Sequence, residues 1–298
     1  MTVPVRRALE PAFVAAVFLS SLTSVSLVSC GARAADPFEI QVYDGTSNAP
    51  GVPGLELHLN QVGDGRRFGS APVLATHHQT HATLEPSIGV TRWWELGAYL
   101  QSARRADGTL DFAGAKLRSK FVTPDGWHSR VRLGVNFELA WLPDRYDADG
   151  WSAEMRPIVA WEGHSWLLAF NPIVGVPLAG AGLREGPGFE PALKVMLKIQ
   201  EQLGVGFEYY ADFGPIASPA AWKEQQHYLY EVVDLLAIES FELNAGIGEG
   251  LTPASNGVVI KLIVGYAFDA ATGASPAGKK LVGSSIAHNR SGARPLFR

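Results

Sequence analysis

The stretch Arg130-Val131-Arg132-Leu133-Gly134-Val135-Asn136-Phe137-Glu138-Leu139-Ala140-Trp141 decides the architecture. Arg130, Arg132, Gly134, Asn136 and Glu138 share one parity. Val131, Leu133, Val135, Phe137, Leu139 and Trp141 share the other. Successive side chains of a strand point to opposite faces, so this segment carries one polar and one apolar face. Gly204 to Phe213 repeats the pattern, with Val205, Phe207, Tyr209, Ala211 and Phe213 against Gly206, Glu208, Tyr210 and Asp212.

Outward from there the same rhythm marks twelve segments: 54–63, 81–91, 93–102, 110–122, 128–142, 151–162, 166–177, 188–199, 204–214, 227–236, 239–250 and 257–268. Most match the ~9–11 residues a tilted strand needs to cross a bilayer and exceed the ~5–6 of a soluble strand. The connections alternate in length. Short ones lie at Thr91-Arg92, Thr123–Gly126, Gly163–Ser165, Gln200–Gln202 and Ala237-Ile238. Longer ones lie at 64–80, 103–109, 143–150, 178–187 and 215–226, with 251–256 last. Short turns at one end and long loops at the other, with an even strand number, are the habit of outer-membrane barrels. The expected fold is therefore all-β, a closed antiparallel up-and-down transmembrane barrel of about 12 strands.

Composition agrees. Charged residues are 18% of the chain, against about 25% for an ordinary soluble domain. After residue 35 no apolar run approaches the ~20 residues of a membrane helix. The formal net charge of −4 gives no reason to expect nucleic acid. Residues 1–34 read as a bacterial export signal: Arg6 and Arg7, an apolar stretch from Ala12 to Val28, then Ala32-Arg33-Ala34 as an A-x-A cleavage site. Leu27-Val28-Ser29-Cys30 resembles a lipobox, so lipidation of Cys30 stays open beside its removal. Residues 35–53 are expected as a periplasmic lead-in, with folding into the lumen as a plug left open. Residues 54–268 form the barrel. Residues 269–298, rich in Gly, Ala and Ser and basic, read as a disordered tail.

Aromatic placement predicts two girdles at the water interfaces. Trp93, Trp94, Trp127, Trp161, Trp166, Tyr266 and Phe268 sit by the short turns or the last strand's end, while Trp141 and Trp151 sit by the long loops. The final strand, Val258 to Phe268, ends Tyr-Ala-Phe and resembles the terminal strand that outer-membrane assembly machinery recognises, although thirty residues follow it. Parity also names a pore lining. Lys116, Arg118, Lys120, Arg130, Arg132 and Arg156 form a basic wall. Glu85, Glu95, Glu138, Glu208, Asp212, Glu242 and Lys261 share the inward parity. Charges on the lipid side would cost ~2–4 kcal/mol each for Arg or Lys at mid-membrane, so these must face water or one another. A wet pore attracting anionic or polar solutes and a lumen filled by ion pairs are both compatible with that list. The phase of segment 227–236 is ambiguous and leaves Glu231 and Asp234 unassigned.

Catalysis is not expected. A barrel lipase needs Ser and His within hydrogen-bond reach. Ser87 and His81 are six residues apart on one strand, roughly 20 Å at ~3.3 Å per residue, and nothing specifies a pairing of His58 with Ser87. No G-x-S-x-G elbow occurs. His77-His78-Gln79-Thr80-His81 and the trio Asp144, Asp147 and Asp149 lack the spacing of known metal motifs, and no metal or cofactor is expected.

The runs Phe38–Asp44, Gly54–Asn60, Leu84–Thr91, Trp93–Gly97, Phe241–Gly248 and Gly265–Phe268 together resemble the outer-membrane barrels of the family associated with the meta-pathway of phenol degradation. The resemblance covers most of residues 36–268 and implies a transporter or porin-like barrel with no catalytic residues. The functional expectation is an outer-membrane channel passing small molecules, aromatic or anionic ones among them. Its partners would be outer-membrane lipids, the assembly machinery and the solutes. The alternatives are a structural or adhesin-type barrel with a filled lumen, and a soluble periplasmic lipocalin-like binder with the apolar parity turned inward.

Overall fold

A computed structural model describes residues 36–124, 127, 130–238 and 240–268. The expected signal segment with Cys30, and the expected tail 269–298, lie outside the described residues.

The strands are β1 (Pro53–Asp64), β2 (Thr80–Thr91), β3 (Trp94–Arg104), β4 (Leu110–Val122), β5 (Val131–Trp141), β6 (Trp151–Glu162), β7 (Trp166–Asn171), β8 (Val174–Pro177), β9 (Gly188–Phe189), β10 (Ala192–Gln200), β11 (Leu203–Asp212), β12 (Gln226–Ile238), β13 (Phe241–Gly250) and β14 (Val258–Ala267). One helical turn, α1 (Gly182–Glu185), sits in a long loop. Every sequential pairing is antiparallel, and β1 pairs with β14 from Gly54↔Ala267 to Val62↔Val259, which closes the sheet. Closure leaves no edge of unpaired backbone groups. β7 with β8, and β9 with β10, each make one stave interrupted at Pro172-Ile173 and Glu190-Pro191, so the wall has the expected twelve staves.

Prolines explain the irregularities. A proline supplies no N–H to a ladder. The β2–β3 ladder skips Glu85-Pro86, and the ladder from β6 to the seventh stave skips Arg156–Ile158, beside Pro157 and Pro172. Strand starts differ slightly from the sequence expectation. β5 begins at Val131, so Arg130 belongs to the turn before it, and β3 begins at Trp94, so Trp93 belongs to a turn.

The alternation settles which parity faces out. Leu57, Leu100, Leu117, Leu133, Phe137, Met155, Val159, Leu168, Leu197, Phe207, Val233 and Ile260 are exposed on the outer surface, while their chain neighbours are buried or half-buried. A lipocalin-like arrangement would need the reverse. Trp93, Trp127, Trp161, Trp166, Tyr266 and Phe268 are exposed at the short-turn end, with Trp94 half-buried beside them; Trp141 and Trp151 pair across β5–β6 at the long-loop end. Strand β12, ambiguous by sequence, turns Tyr228, Tyr230, Val232 and Asp234 inward and leaves Glu231 on the outer face.

The largest difference lies ahead of β1. Residues 36–52 are not a lead-in outside the barrel. They descend through the lumen and reverse into β1 at the short-turn end. Phe38, Glu39, Ile40, Val42 and Tyr43 are all buried. The reversal depends on Gly89: Gly51 N donates to Gly89 O at 2.7 Å, and a Cβ on Gly89 would lie 2.2 Å from the Ala49 carbonyl oxygen.

Candidate functional site

The site is the lumen, built from the inward parity of twelve staves and the segment threaded through it. Three groups of charges line it. On β2 to β4, Arg118 contacts Glu85 at 2.6 Å and Glu95 at 2.9 Å, and Lys120 contacts Glu95 at 2.9 Å. On β4 to β6, Lys116 contacts Glu138 at 3.1 Å, Arg156 contacts Glu154 at 2.7 Å, and Arg132 contacts Glu162 at 2.5 Å. On β10 to β14, Lys194 lies 3.1 Å from Glu208 and 2.5 Å from Asp234, Lys261 pairs with Glu208, and Asn244 donates to both carboxylates.

The lumenal segment engages the second group. Glu39 Oε1 lies 3.2 Å from Arg156, Glu39 Oε2 lies 3.3 Å from Lys116, and Asp36 also pairs with Lys116. Asp44 lies 3.1 Å from Arg132 Nη2, while Arg132 Nε donates to the Asp44 carbonyl at 2.7 Å. The Tyr43 ring sits among Arg156, Lys120 and Arg118, at 4.6, 5.2 and 5.9 Å from its centroid, within the ~6 Å range of cation–π attraction. Its hydroxyl meets Tyr99 at 2.7 Å and donates to Glu39 at 3.0 Å. Asn171 brackets its backbone, accepting from Tyr43 N at 2.7 Å and donating to Tyr43 O at 3.0 Å. Removing charges from water is costly, and only multiple partners in good geometry offset it. This segment supplies many of those partners.

Between the segment and the β11–β14 wall, toward the long loops, lies a small, partly open cleft of about 50 Å³. Ile40, Val62, Ile173, Tyr210, Tyr228, Tyr230 and Val259 line it, with Glu39, Glu154, Arg156 and Glu190 among its polar groups. The site is amphipathic: a tyrosine-rich apolar floor faces carboxylates and one guanidinium.

Most of the sequence-named lining lies where parity put it. Lys116, Arg118, Arg156, Glu85, Glu95, Glu138, Glu208, Asp212 and Lys261 are buried inside, and Lys120 and Arg132 are slightly more open. Glu242 is half-buried at the short-turn end, beside Gly265 and Glu56. Arg130 is the exception: it is exposed in a turn and is no part of the wall. The wall cations are paired with carboxylates and do not present an unopposed positive surface.

The sequence left open whether the segment enters the lumen and named none of its residues in the site. Its signal was Phe38, Ile40 and Val42 alternating with Glu39, Gln41 and Tyr43 in a stretch with no place in the wall. His58, weighed in the sequence only against Ser87, is fully buried, with Nε2 3.1 Å from Glu85 Oε2 and 3.9 Å from Glu56 Oε2. His58 and Ser87 do not meet as a nucleophile and base, because Ser87 Oγ accepts from Asn48 instead, at 2.9 Å. The histidine run is divided: His77 and His78 stack in a loop at 3.9 Å, whereas His81 is buried in the lumen against Phe38 at 4.7 Å. Asp147 and Asp149 accept loop backbone N–H groups, as turn residues do.

No family model matches the chain, and no curated protein matches it. Solved structures do. An outer membrane channel from Pseudomonas putida F1 aligns over 77% of this chain and 100% of its own, with a TM-score of 0.52 and 11% identity. The KdgM porin aligns over 72% and 99%, at 0.48 and 9%. The toluene transporter TodX of Pseudomonas putida aligns over 78% and 99%, at 0.41 and 11%. The chain has the fold of outer-membrane barrels. At that level the resemblance drawn from its sequence holds.

Proposed function

We propose that this protein is an outer-membrane channel for small molecules. One observation carries the reading: a closed twelve-stave wall apolar outside and charged within, holding a small amphipathic cleft beside the lumenal segment. An apolar exterior of this extent has a purpose in lipid and would be a liability in water. The exposed tryptophans at both rims fit the interface belts, and the Tyr266-Ala267-Phe268 end suits assembly into that membrane. Channel chemistry needs no catalytic group here, and the solved barrel it resembles at a TM-score of 0.52 is an outer membrane channel. The narrower association with the meta-pathway of phenol degradation rests on the quoted runs alone. It would gain support if phenolic solutes permeated preferentially.

The lumenal segment and its ion pairs favour a second reading, a structural barrel with a filled lumen. Planar-bilayer recording on the purified protein separates the two. Discrete conductance steps support the channel. A folded, heat-modifiable barrel that inserts yet never conducts would support the filled one.

A further inference from the structure

We propose that the lumenal wall of β4, β5 and β6 is a binding site for a linear solute carrying carboxylates, and that residues 36–44 occupy it as a tethered competitor. The inference deepens the channel reading and rests on it in one respect: solute must be able to reach the lumen.

The segment resembles a ligand more than a wall element. Residues 36–52 contain three carboxylates and no Lys or Arg. All three carboxylates address this one wall: Asp36 and Glu39 reach Lys116, Glu39 reaches Arg156, and Asp44 reaches Arg132. Each wall cation already meets a wall carboxylate, in Glu138, Glu154 and Glu162, the last shared with Lys198 of β10. The segment therefore adds negative charge to a sector already paired, through donors that point into the lumen. Arg132 commits Nε and Nη2 to Asp44 and keeps Nη1 for Glu162; Arg156 commits Nη1 to Glu39 and the Gln41 carbonyl and keeps Nε for Glu154. A guanidinium has five donors and no acceptor, so the directions filled by the segment call for acceptors when it leaves.

The arrangement also sets the length and polarity of the solute. Glu39 and Asp44 lie five residues apart, at most about 18 Å along an extended chain. Between them Asn171 offers a donor and an acceptor, and Arg118, Lys120 and Arg156 surround an aromatic ring. The site therefore suits a linear chain with carboxylates at intervals and a polar, ring-tolerant middle. Gly45 limits the segment's grip. Its φ is +81°, and a Cβ there would lie 2.9 Å from Arg132 Cβ, so the backbone passes Arg132 only as glycine.

The test uses labelled hexa-L-glutamate, with hexa-L-glutamine and hexa-L-lysine as controls, read by fluorescence anisotropy on the full chain in detergent. Glu39→Gln with Asp44→Asn loosens the segment and leaves the wall intact. The double variant should bind hexa-L-glutamate at least tenfold more tightly than the parent, with no gain for either control. Adding Arg132→Gln and Arg156→Gln should abolish that gain. Equal affinity in parent and double variant, or an equal gain for hexa-L-lysine, would overturn the site. Should the double variant lose its heat-modifiable band, Asp44→Asn alone carries the same comparison. Bilayer recordings keep the two readings apart. Binding without conductance supports the site and sinks the channel, while conductance indifferent to hexa-L-glutamate does the opposite.

Discussion

Two sides of the same lumen are charged in different ways. On the β10–β14 side, Lys194, Glu208, Asp234, Asn244 and Lys261 satisfy one another within the wall. They meet the lumenal segment through Lys261, which donates to the Ile40 carbonyl at 3.0 Å, and through apolar packing of Ile40 and Val42. On the β4–β6 side, Lys116, Arg132 and Arg156 divide their contacts between the wall and the segment. The first side is a brace whose charges are paired within the wall. The second has wall partners and also commits donors to the segment, so any change in what fills the lumen is felt there first.

That comparison can be broken at the brace. Glu208 is buried and is the carboxylate within ion-pair reach of Lys261. Glu208→Gln strands a buried ammonium, and breaking such a pair costs ~3–5 kcal/mol. Chemical denaturation in detergent should show a loss of that order; a loss under ~1 kcal/mol would mean water reaches Lys261. On the other side the expected cost is smaller. Tyr43→Phe removes the hydroxyl that joins Tyr99 to Glu39, a loss of ~1–3 kcal/mol for buried groups left without a partner. Because that loss loosens the segment, bilayer recording should also show longer or larger openings, which Glu208→Gln should not produce.

Two further substitutions sharpen the contrast between inside and outside. Glu231 stands on the outer face of β12, its ladder partners there being Phe207 and Ile247. Glu231→Leu should raise the unfolding midpoint without changing conductance, because a carboxylate facing hydrocarbon is unfavourable. A lowered midpoint would mean that the carboxylate has a stabilising contact. The smallest effect is expected at Arg130: Arg130→Glu should leave ion selectivity unchanged, while Arg132→Glu, two residues on and inside in β5, should shift the reversal potential. Equal shifts would return Arg130 to the wall.

The barrel was legible because its determinants are local. Val131 to Trp141 names its own two faces, and the other segments apart from 227–236 do the same. Loop lengths then order them into a closed sheet. Parity likewise named Lys116, Arg118, Arg156, Glu85, Glu138 and Lys261 as inward. It failed at Arg130, where the alternation runs one residue past the strand, and at 227–236, where Tyr228, Tyr230 and Val232 put apolar side chains on the inward face and Glu231 puts a charge on the outer one.

By itself, then, the amino-acid sequence determined the number of staves, the apolar face of all but the tenth and which end carries the turns, because period-two patterning and turn length are properties of neighbouring residues. Only the tertiary structure decided that residues 36–52 run inside the lumen, and that Glu39 joins Lys116 to Arg156, positions 77 and 117 residues further along the chain. Which cation takes which carboxylate depends on the register of β4 against β5 and β6 and on the path of the segment past Gly45 and Gly89. Those are long-range choices, fixed only when the sheet closes and the buried charges must find partners.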